Sequence, residues 1–140
     1  QDNRLEASLI GWGRDDESWV LDHKTFYGDP STPQLWGDLD SFLMTQFKNV
    51  TGRNMAIRAA AVDSGGHFTN SVYHYCKKNQ GRRIFAIKGV GGSGRAIAGR
   101  PSKNNVVKCP LFPVGVNTIK ELLFARLRIW EEGPGYVHFL

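Results

Sequence analysis

The acidic side chain best placed for chemistry in this 140-residue sequence is Asp63. It follows residues 55–62 (MAIRAAAV), a nearly apolar run that predicts a strand buried on both faces, and it precedes a turn at Gly65 and Gly66. Open α/β sheets bind ligands at the carboxyl ends of their strands. A carboxylate there can hold a divalent metal ion beside a phosphate group. It can also simply cap the turn with a side-chain hydrogen bond, and the sequence leaves both interpretations open.

His67 follows the same turn and is the second candidate catalytic residue. Its imidazole can act as a hydrogen-bond donor beside the metal ion or as a proton carrier, or it can be an ordinary polar loop residue. The other three histidines have no partner at the spacing of metal ligands. We therefore take Asp63 and His67 as the candidate catalytic residues and Asp63 as the candidate metal ligand.

The charges of the chain are divided between its two halves. Residues 1–62 carry nine acids and six Lys or Arg, whereas residues 64–120 carry ten Lys or Arg and no acid. A long segment without carboxylates attracts polyanions because no internal ion pairs compensate its field. Nucleic acid is therefore the expected partner, and the alternative is a solvated basic face that maintains solubility.

Residues 86–95 (AIKGVGGSGR) place four glycines after a strand-like run, which raises the question of a nucleotide-binding loop. Their spacing matches a dinucleotide-binding loop and lies two substitutions from a phosphate-binding loop. Both motifs require a long helix directly after the loop, but Gly99 and Pro101 interrupt the residues that follow. The sequence therefore predicts no bound nucleotide.

The glycines instead begin a predicted mobile basic loop at residues 89–108, which lacks helical or strand periodicity. Lys88 stands at the end of the preceding strand, where it can contact phosphate. Basic residues in and beside the loop are the predicted DNA contacts: Lys88, Arg95, Arg100, Lys103 and Lys108.

The elements that must position these residues indicate a single α/β domain over residues 1–140. Apolar runs at 5–13 and 18–27 predict an antiparallel hairpin. Helices are predicted from Thr32 and Pro33 to Gly52, from a Thr69 cap to residues 79–81, and from a Thr118–Glu121 capping box. Strands are expected at 55–62, 83–87 and 136–140, although the alanines in the first of these also allow a helix. Alternating strands and helices predict that the later strands are parallel.

Several features of the sequence indicate the cellular compartment of the protein. No apolar run reaches the roughly 18 residues of a membrane span, and residues 1–4 do not form a secretory leader. Cys76 and Cys109 belong to no metal-binding or redox motif, so we expect two reduced, buried thiols. We accordingly expect a soluble cytoplasmic protein without a membrane partner.

Five stretches, in order, resemble the nuclease half of the large terminase subunit of tailed phages, of the GpA or lambda-like type. They are QDNRLEASLIGWGRDDESWVLD, AAAVDSGGHFTNSVY, RIFAIKG, LFPVGVNTIKELLFARL and GPGYVHF. The resemblance covers almost the whole chain and implies a ribonuclease H-like fold, a mixed sheet flanked by helices. It also implies a metal-dependent endonuclease that cuts concatemeric DNA during packaging.

In such a nuclease, acids at strand ends hold two Mg²⁺ or Mn²⁺ ions that promote hydrolysis of a phosphodiester, and the resemblance places Asp63 among these acids. It implies double-stranded DNA, the small terminase subunit and the portal or procapsid as partners, in the cytoplasm of the bacterial host.

The chain departs from the family pattern in two places. The pattern puts the first catalytic aspartate just before Gln1, on a strand between the hairpin and the Asp63 strand, and the third acid on a helix well after residues 136–139. Asp2 is shifted too far to replace the first acid. We therefore expect an incomplete two-metal site, lacking the first strand and the last helix. The alternative function is a non-catalytic module that binds DNA or a partner through the basic segment 77–108.

Overall fold

The amino-terminal hairpin is the longest pairing in the computed structural model, which describes residues 3–139. Strand β1 (Arg4–Trp12) alternates half-buried and exposed side chains and pairs antiparallel with β2 (Ser18–Tyr27). The short connection closes because the Gly13 amide donates to the Glu17 carbonyl at 2.8 Å. The predicted hairpin is confirmed.

Strand β8 (Val137–Phe139) joins this hairpin by pairing parallel to β2. The His138 ring stacks on Trp19 with centroids 4.7 Å apart, and its Nε2 lies 2.8 Å from Glu17 Oε1. The predicted last strand is therefore present, fixed at the edge of the first sheet. Trp12, the last residue of β1, is 64% exposed.

Helix α1 (Pro33–Leu43) begins as predicted, with Thr32 in the N-cap position and Pro33 first. The Thr32 hydroxyl does not cap the helix but donates to the Asp29 carbonyl at 2.7 Å. The helix ends at Leu43 rather than at Gly52, because a small hairpin follows directly. Apolar side chains on one face of α1 are buried against the rest of the molecule: Leu35, Trp36, Leu39 and Phe42.

That small hairpin pairs β3 (Gln46–Lys48) with β4 (Asn54–Ala56). Its turn is held by Asn49 Oδ1, which accepts from the amides of Thr51 and Arg53. The single strand predicted at 55–62 is therefore wrong: the run divides into β4 and a separate strand β5 (Ala60–Asp63). Because residues 49–53 form a turn, the start of the run pairs with β3 instead of continuing into β5.

A parallel sheet of three strands forms the second half of the fold. Strand β5 pairs with β6 (Ile84–Val90), which pairs with β7 (Leu111–Gly115), and both pairings are parallel, as predicted. Helix α2 (Thr69–Lys78) connects β5 to β6 and packs against both strands. Helix α3 (Val116–Arg126) follows β7 and buries none of its side chains.

The two helices over the core are tied together by one carboxylate. Asp40 Oδ1 on α1 accepts hydrogen bonds from the Tyr75 hydroxyl on α2 at 2.8 Å and from Arg82 at 2.6 Å. Burial alone would raise the pKa of Asp40, but these two hydrogen bonds and the Arg82 charge outweigh it and lower the pKa. Burial and the same carboxylate raise the pKa of Tyr75.

Cys76 and Cys109 are both free and almost completely buried, which confirms the prediction of two reduced thiols. Burial raises the pKa of the Cys76 thiol to about 12, with a smaller contribution from Cys109. A thiol with so high a pKa holds its proton at neutral pH and is a poor nucleophile.

The architecture is a mixed α/β arrangement with three small sheets over residues 3–139. Each of the three helices in this range is too short or too polar to cross a lipid bilayer. Asp2, weighed above as a substitute for an acid, lies outside the described residues.

Candidate functional site

The carboxyl ends of β5, β6 and β7 meet at one edge of the parallel sheet. Asp63, the last residue of β5, pairs with Ile87 on β6, and Ile87 pairs with Phe112 on β7. Asp63 is exposed at the carboxyl end of β5, and β5 is an outer strand of this three-stranded sheet. The position predicted for the candidate metal ligand is thus the one that the structure shows.

The turn after Asp63 is held by hydrogen bonds at almost every residue. Asp63 Oδ1 accepts from the Gly65 amide at 3.0 Å. Ser64 is buried, and both its amide and its hydroxyl donate to the Ile87 carbonyl at 2.9 Å. These bonds fix the carboxyl end of β5 to β6, so the backbone that carries Asp63 has little freedom.

Thr69 completes the same turn in a way that corrects its predicted role. The N-cap residue of α2 is Phe68, and Thr69 is the first helical residue. Its hydroxyl lies 2.9 Å from the carbonyls of both Ser64 and Gly66, to either of which it can donate. It does not cap α2 because Phe68, and not Thr69, occupies the N-cap position.

The hydrogen bond expected of a turn-capping aspartate is therefore present, but it uses one carboxylate oxygen only. Asp63 Oδ2 has no hydrogen-bond partner among the described residues, and the residue is exposed. One oxygen orients the carboxylate while the other is free to bind a cation. The two interpretations of Asp63 are thus compatible with each other.

The fit of this site to divalent metal ions is partial. A carboxylate oxygen suits Mg²⁺ or Mn²⁺, but over residues 3–139 no group of three or more His, Cys, Asp or Glu side chains could hold a metal. His67 is exposed in the turn, and among these residues its ring has no hydrogen-bond partner. Asp63 therefore supplies one ligand and does not by itself complete a site.

Lys88 lies close to Asp63 in the sheet but on its other face. Because Asp63 pairs with Ile87, strand alternation directs the next side chain, Lys88, to the opposite side. The face of Asp63 carries Phe85 and Phe112, whose rings meet edge to face at 5.4 Å. Lys88 can therefore contact a phosphate bound at the Asp63 carboxylate only if its side chain extends around the carboxyl end of the sheet.

The long connection from β6 to β7, which we call the basic loop, spans residues 91–110. Strand β6 continues to Val90, three residues beyond its predicted end at Ile87. The loop then returns along the outer edge of β7 through bridges of Ala98 with Val114 and of Ser102 with Leu111. The loop is thus hydrogen-bonded to the sheet, and its mobility stays a prediction.

The start of the basic loop is fixed to helix α3. Asn117 Oδ1 accepts from the Gly92 amide at 3.2 Å, and the Thr118 hydroxyl donates to the Arg95 carbonyl at 2.6 Å. The predicted Thr118–Glu121 capping box is wrong: α3 begins at Val116 with Gly115 before it, and Thr118 binds the loop instead. Sequence reasoning missed Ser64 and Asn117 as site-shaping residues, although a short polar side chain beside a turn is a usable signal.

The five predicted DNA contacts are spread over the sheet rather than gathered at Asp63. Arg95 reaches the carboxyl edge, where its Nε donates to the Gly91 carbonyl at 2.6 Å. Arg100 and Lys103 lie beside the outer flank of β7, around the Ser102 bridge. Lys108 precedes the start of β7, and its carbonyl accepts from Lys77 Nζ at 3.3 Å. With Lys88, these exposed residues form a basic band from the carboxyl edge along β7.

Comparison with known proteins gives one family and two relatives. The chain matches the family described as "Terminase large subunit gpA, endonuclease domain" over residues 1–140. It is 32% identical to "Terminase, large subunit" of Escherichia phage lambda over 98% of this chain and 22% of that protein. It is 28% identical to "Terminase, large subunit" of Enterobacteria phage P21 over 91% of this chain and 20% of that protein.

These curated relatives are much longer proteins, and the chain spans about a fifth of their length. No solved structure matches the chain significantly.

Proposed function

The chain belongs to the family of terminase large subunit gpA endonuclease domains, and from that premise we propose that it is a metal-dependent DNA endonuclease domain. In this proposal it cuts concatemeric phage DNA during packaging by hydrolysing phosphodiester bonds. The observation that carries the proposal is Asp63, an exposed residue that ends a parallel strand with one oxygen bound to the Gly65 amide and no hydrogen bond to the other among the described residues.

We propose a ribonuclease H-like fold for the same reasons. An antiparallel hairpin precedes a parallel set of strands, and a helix crosses between β5 and β6. This order places the carboxylate at a sheet edge, where open α/β sheets bind ligands. The outermost position of β5 leaves one side of the Asp63 strand unpaired over the described residues, as the resemblance implies for a chain without the first strand.

Asp63 is proposed as one ligand of a Mg²⁺ or Mn²⁺ site whose further acids come from outside residues 1–140. When bound, such ions neutralise the phosphate charge and lower the pKa of the attacking water. The chain's own residues orient the site: Gly65 holds the Asp63 carboxylate, and Ser64 anchors the strand end to β6. His67, exposed in the same turn, is proposed to carry a proton near the reacting phosphate.

The basic band is proposed to hold double-stranded DNA against this edge. Its exposed side chains face solvent in a segment without carboxylates, so counterion release favours DNA binding. By relation to the phage lambda and P21 large terminase subunits, we propose the small terminase subunit and the portal or procapsid as protein partners. The site of action would be the host cytoplasm.

The test is cleavage of supercoiled plasmid with Mn²⁺ or Mg²⁺, comparing the chain and a version extended at both ends. The Asp63→Ala variant should lose cleavage in whichever form cuts DNA. Asp22→Ala is the matched control, because Asp22 is an exposed carboxylate on β2 without a hydrogen bond among the described residues. Equal cleavage by wild type and Asp63→Ala would reject Asp63 as the metal ligand.

A second candidate function is a non-catalytic module that binds DNA or a partner through residues 77–108. It is favoured because, over residues 3–139, Asp63 belongs to no group of three or more His, Cys, Asp or Glu side chains that could hold a metal ion. In that case the chain binds DNA with a strong salt dependence, and neither the chain nor its extended form cuts plasmid with either metal.

A further inference from the structure

A cleft of about 380 Å³ opens at the amino ends of β5 and β6, at the sheet edge opposite Asp63. Part of its wall is apolar and comes from Leu43, Ile57 and Ile84. The rest includes three arginines: Arg58, Arg82 and Arg83. None of the residues proposed above for DNA cleavage lines this cleft, so its charge has no role in that chemistry.

The three guanidinium groups differ in how they are compensated. Arg82 donates to Asp40 at 2.6 Å and to Asn79 at 3.1 Å, which fixes its side chain and offsets its charge. Over residues 3–139, no carboxylate lies within ion-pair distance of Arg58 or Arg83. No acidic residue lines the cleft. Two uncompensated positive charges therefore share one concave surface.

The backbone that carries Arg83 is fixed on both sides. Its φ is +58°, a left-handed conformation, and its amide donates to the Gln80 carbonyl at 3.1 Å. Its carbonyl accepts from the Ala60 amide at 3.0 Å, directly at the start of β5. The position of Arg83 in the cleft is thus set by the sheet, which reduces the entropy lost when an anion binds.

We propose that this cleft binds a phosphate group. Guanidinium groups bind phosphate oxygens through paired, charge-assisted hydrogen bonds, and two uncompensated guanidiniums beside one apolar wall suit a phosphate attached to a less polar group. Nucleotides have this chemistry, either free or within a DNA strand. The four-residue strand from Ala60 to Asp63 separates the cleft from the candidate metal ligand by roughly 10 Å, so the two sites are distinct.

The experiment titrates the ¹⁵N-labelled 140-residue chain with inorganic phosphate, with thymidine 5′-monophosphate and with a single-stranded 12-mer, and follows amide shifts by NMR. We expect the largest shifts from all three at residues 57–60 and 81–84. Tighter binding of the monophosphate than of phosphate assigns the apolar wall to a free nucleotide. Tighter binding of the 12-mer than of the monophosphate assigns the cleft to a DNA strand.

The variant Arg58→Gln/Arg83→Gln should weaken phosphate binding by about tenfold or more, since it removes two charged donors. The control Arg14→Gln/Arg128→Gln changes the net charge equally at exposed positions outside the cleft and should bind as wild type does. Arg58→Gln alone, in an exposed stretch outside strands and helices, serves if the double variant unfolds.

Three results would overturn the proposal. The first is the absence of shifts at 57–60 and 81–84 up to about 20 mM phosphate, a concentration on the order of ten thousandfold above the Kd of a μM site. The second is equal weakening in the control variant, and the third is a glutamate-rich peptide that binds the cleft more tightly than all three phosphate probes. The last result would make the cleft a protein docking site. Because none of these measurements involves DNA cleavage, they test the cleft independently of the role of Asp63.

Discussion

Two connections leave the carboxyl edge of the parallel sheet, and they are built in opposite ways. The turn of residues 64–68 is short, carries no Lys or Arg, and is fixed by hydrogen bonds from Ser64, Gly65 and Thr69. The basic loop of residues 91–110 is four times as long and carries four Lys or Arg. The turn places a single carboxylate, whereas the loop presents many charges.

This difference matches two physical requirements. Metal-assisted hydrolysis depends on the position of a ligand within a fraction of an ångström, and a short turn with both ends anchored supplies that. DNA binding depends on the number of charges near the phosphates, and a loop attached to the flank of β7 at intervals supplies that. We therefore propose that the turn serves cleavage and that the loop supplies DNA affinity.

The strongest way to break this assignment is to exchange Asp63 for Asn, which keeps the shape of the side chain and removes its charge. In the cleavage-competent form we expect the single-turnover rate to fall by about 100-fold or more. The dissociation constant for DNA, measured by fluorescence anisotropy in Ca²⁺, should stay within about twofold, since the loop is untouched. A large loss of affinity with an unchanged rate would reverse the two roles.

The complementary change removes charge from the loop with Arg95→Gln/Arg100→Gln/Lys103→Gln. If all three side chains contact phosphates, the slope of log Kd against log salt concentration should fall by about 2 to 3 units. Cleavage at saturating DNA should be unaffected. The matched control is Arg14→Gln/Arg53→Gln/Arg128→Gln, which alters net charge equally. An identical change of slope in both variants would remove the basic loop from the DNA contact.

A finer test concerns how the turn holds Asp63. Thr69→Val keeps the side-chain volume but removes the hydroxyl that bonds the Ser64 and Gly66 carbonyls. We expect the cleavage rate to fall about tenfold through a small displacement of the carboxylate, and Thr69→Ser should restore it. Hydrogen exchange at Gly65 should quicken in the valine variant only. Equal rates in both variants would show that the hydroxyl does not position Asp63.

The smallest expected effect lies away from both connections, at Asp40. Because its folded-state pKa is lowered, Asp40 stabilises the fold above its unfolded pKa of about 3.9, and that contribution is lost as the pH falls through the folded value. Asp40→Asn should cost about 1 kcal/mol at pH 7 by urea unfolding. Between pH 5 and 3 wild type should lose more stability than the variant. Parallel pH profiles would contradict this.

Much of the fold follows from patterns that local physics enforces. The apolar runs at 5–13 and 18–27 predicted the hairpin, and the Thr32–Pro33 start predicted α1. The sequence could not reveal that residues 54–56 pair antiparallel with residues 46–48, because this pairing depends on the turn that Asn49 holds. The apolar run of residues 55–62 shows no break at the point where β4 ends and β5 begins.

The location of Asp63 was predicted correctly, whereas most of the hydrogen bonds around it were not. Asp63 was found from its place at a strand end, which is a topological signal. The roles predicted for Thr69 and Thr118 were wrong, since the helices begin at other residues and each hydroxyl donates to backbone carbonyls outside its helix. The opposite faces of Asp63 and Lys88 depend on strand register, which the sequence does not specify.

The most direct test of the central claim is to locate Mn²⁺ on the chain by paramagnetic broadening of ¹⁵N-labelled amides. At the lowest Mn²⁺ concentrations we predict broadening centred on Gly65 and Gly66, abolished in Asp63→Asn and retained in Asp22→Asn. Broadening that begins at the acidic residues 15–17 or 131–132, with Gly65 and Gly66 unaffected, would contradict the assignment of Asp63 as the metal ligand.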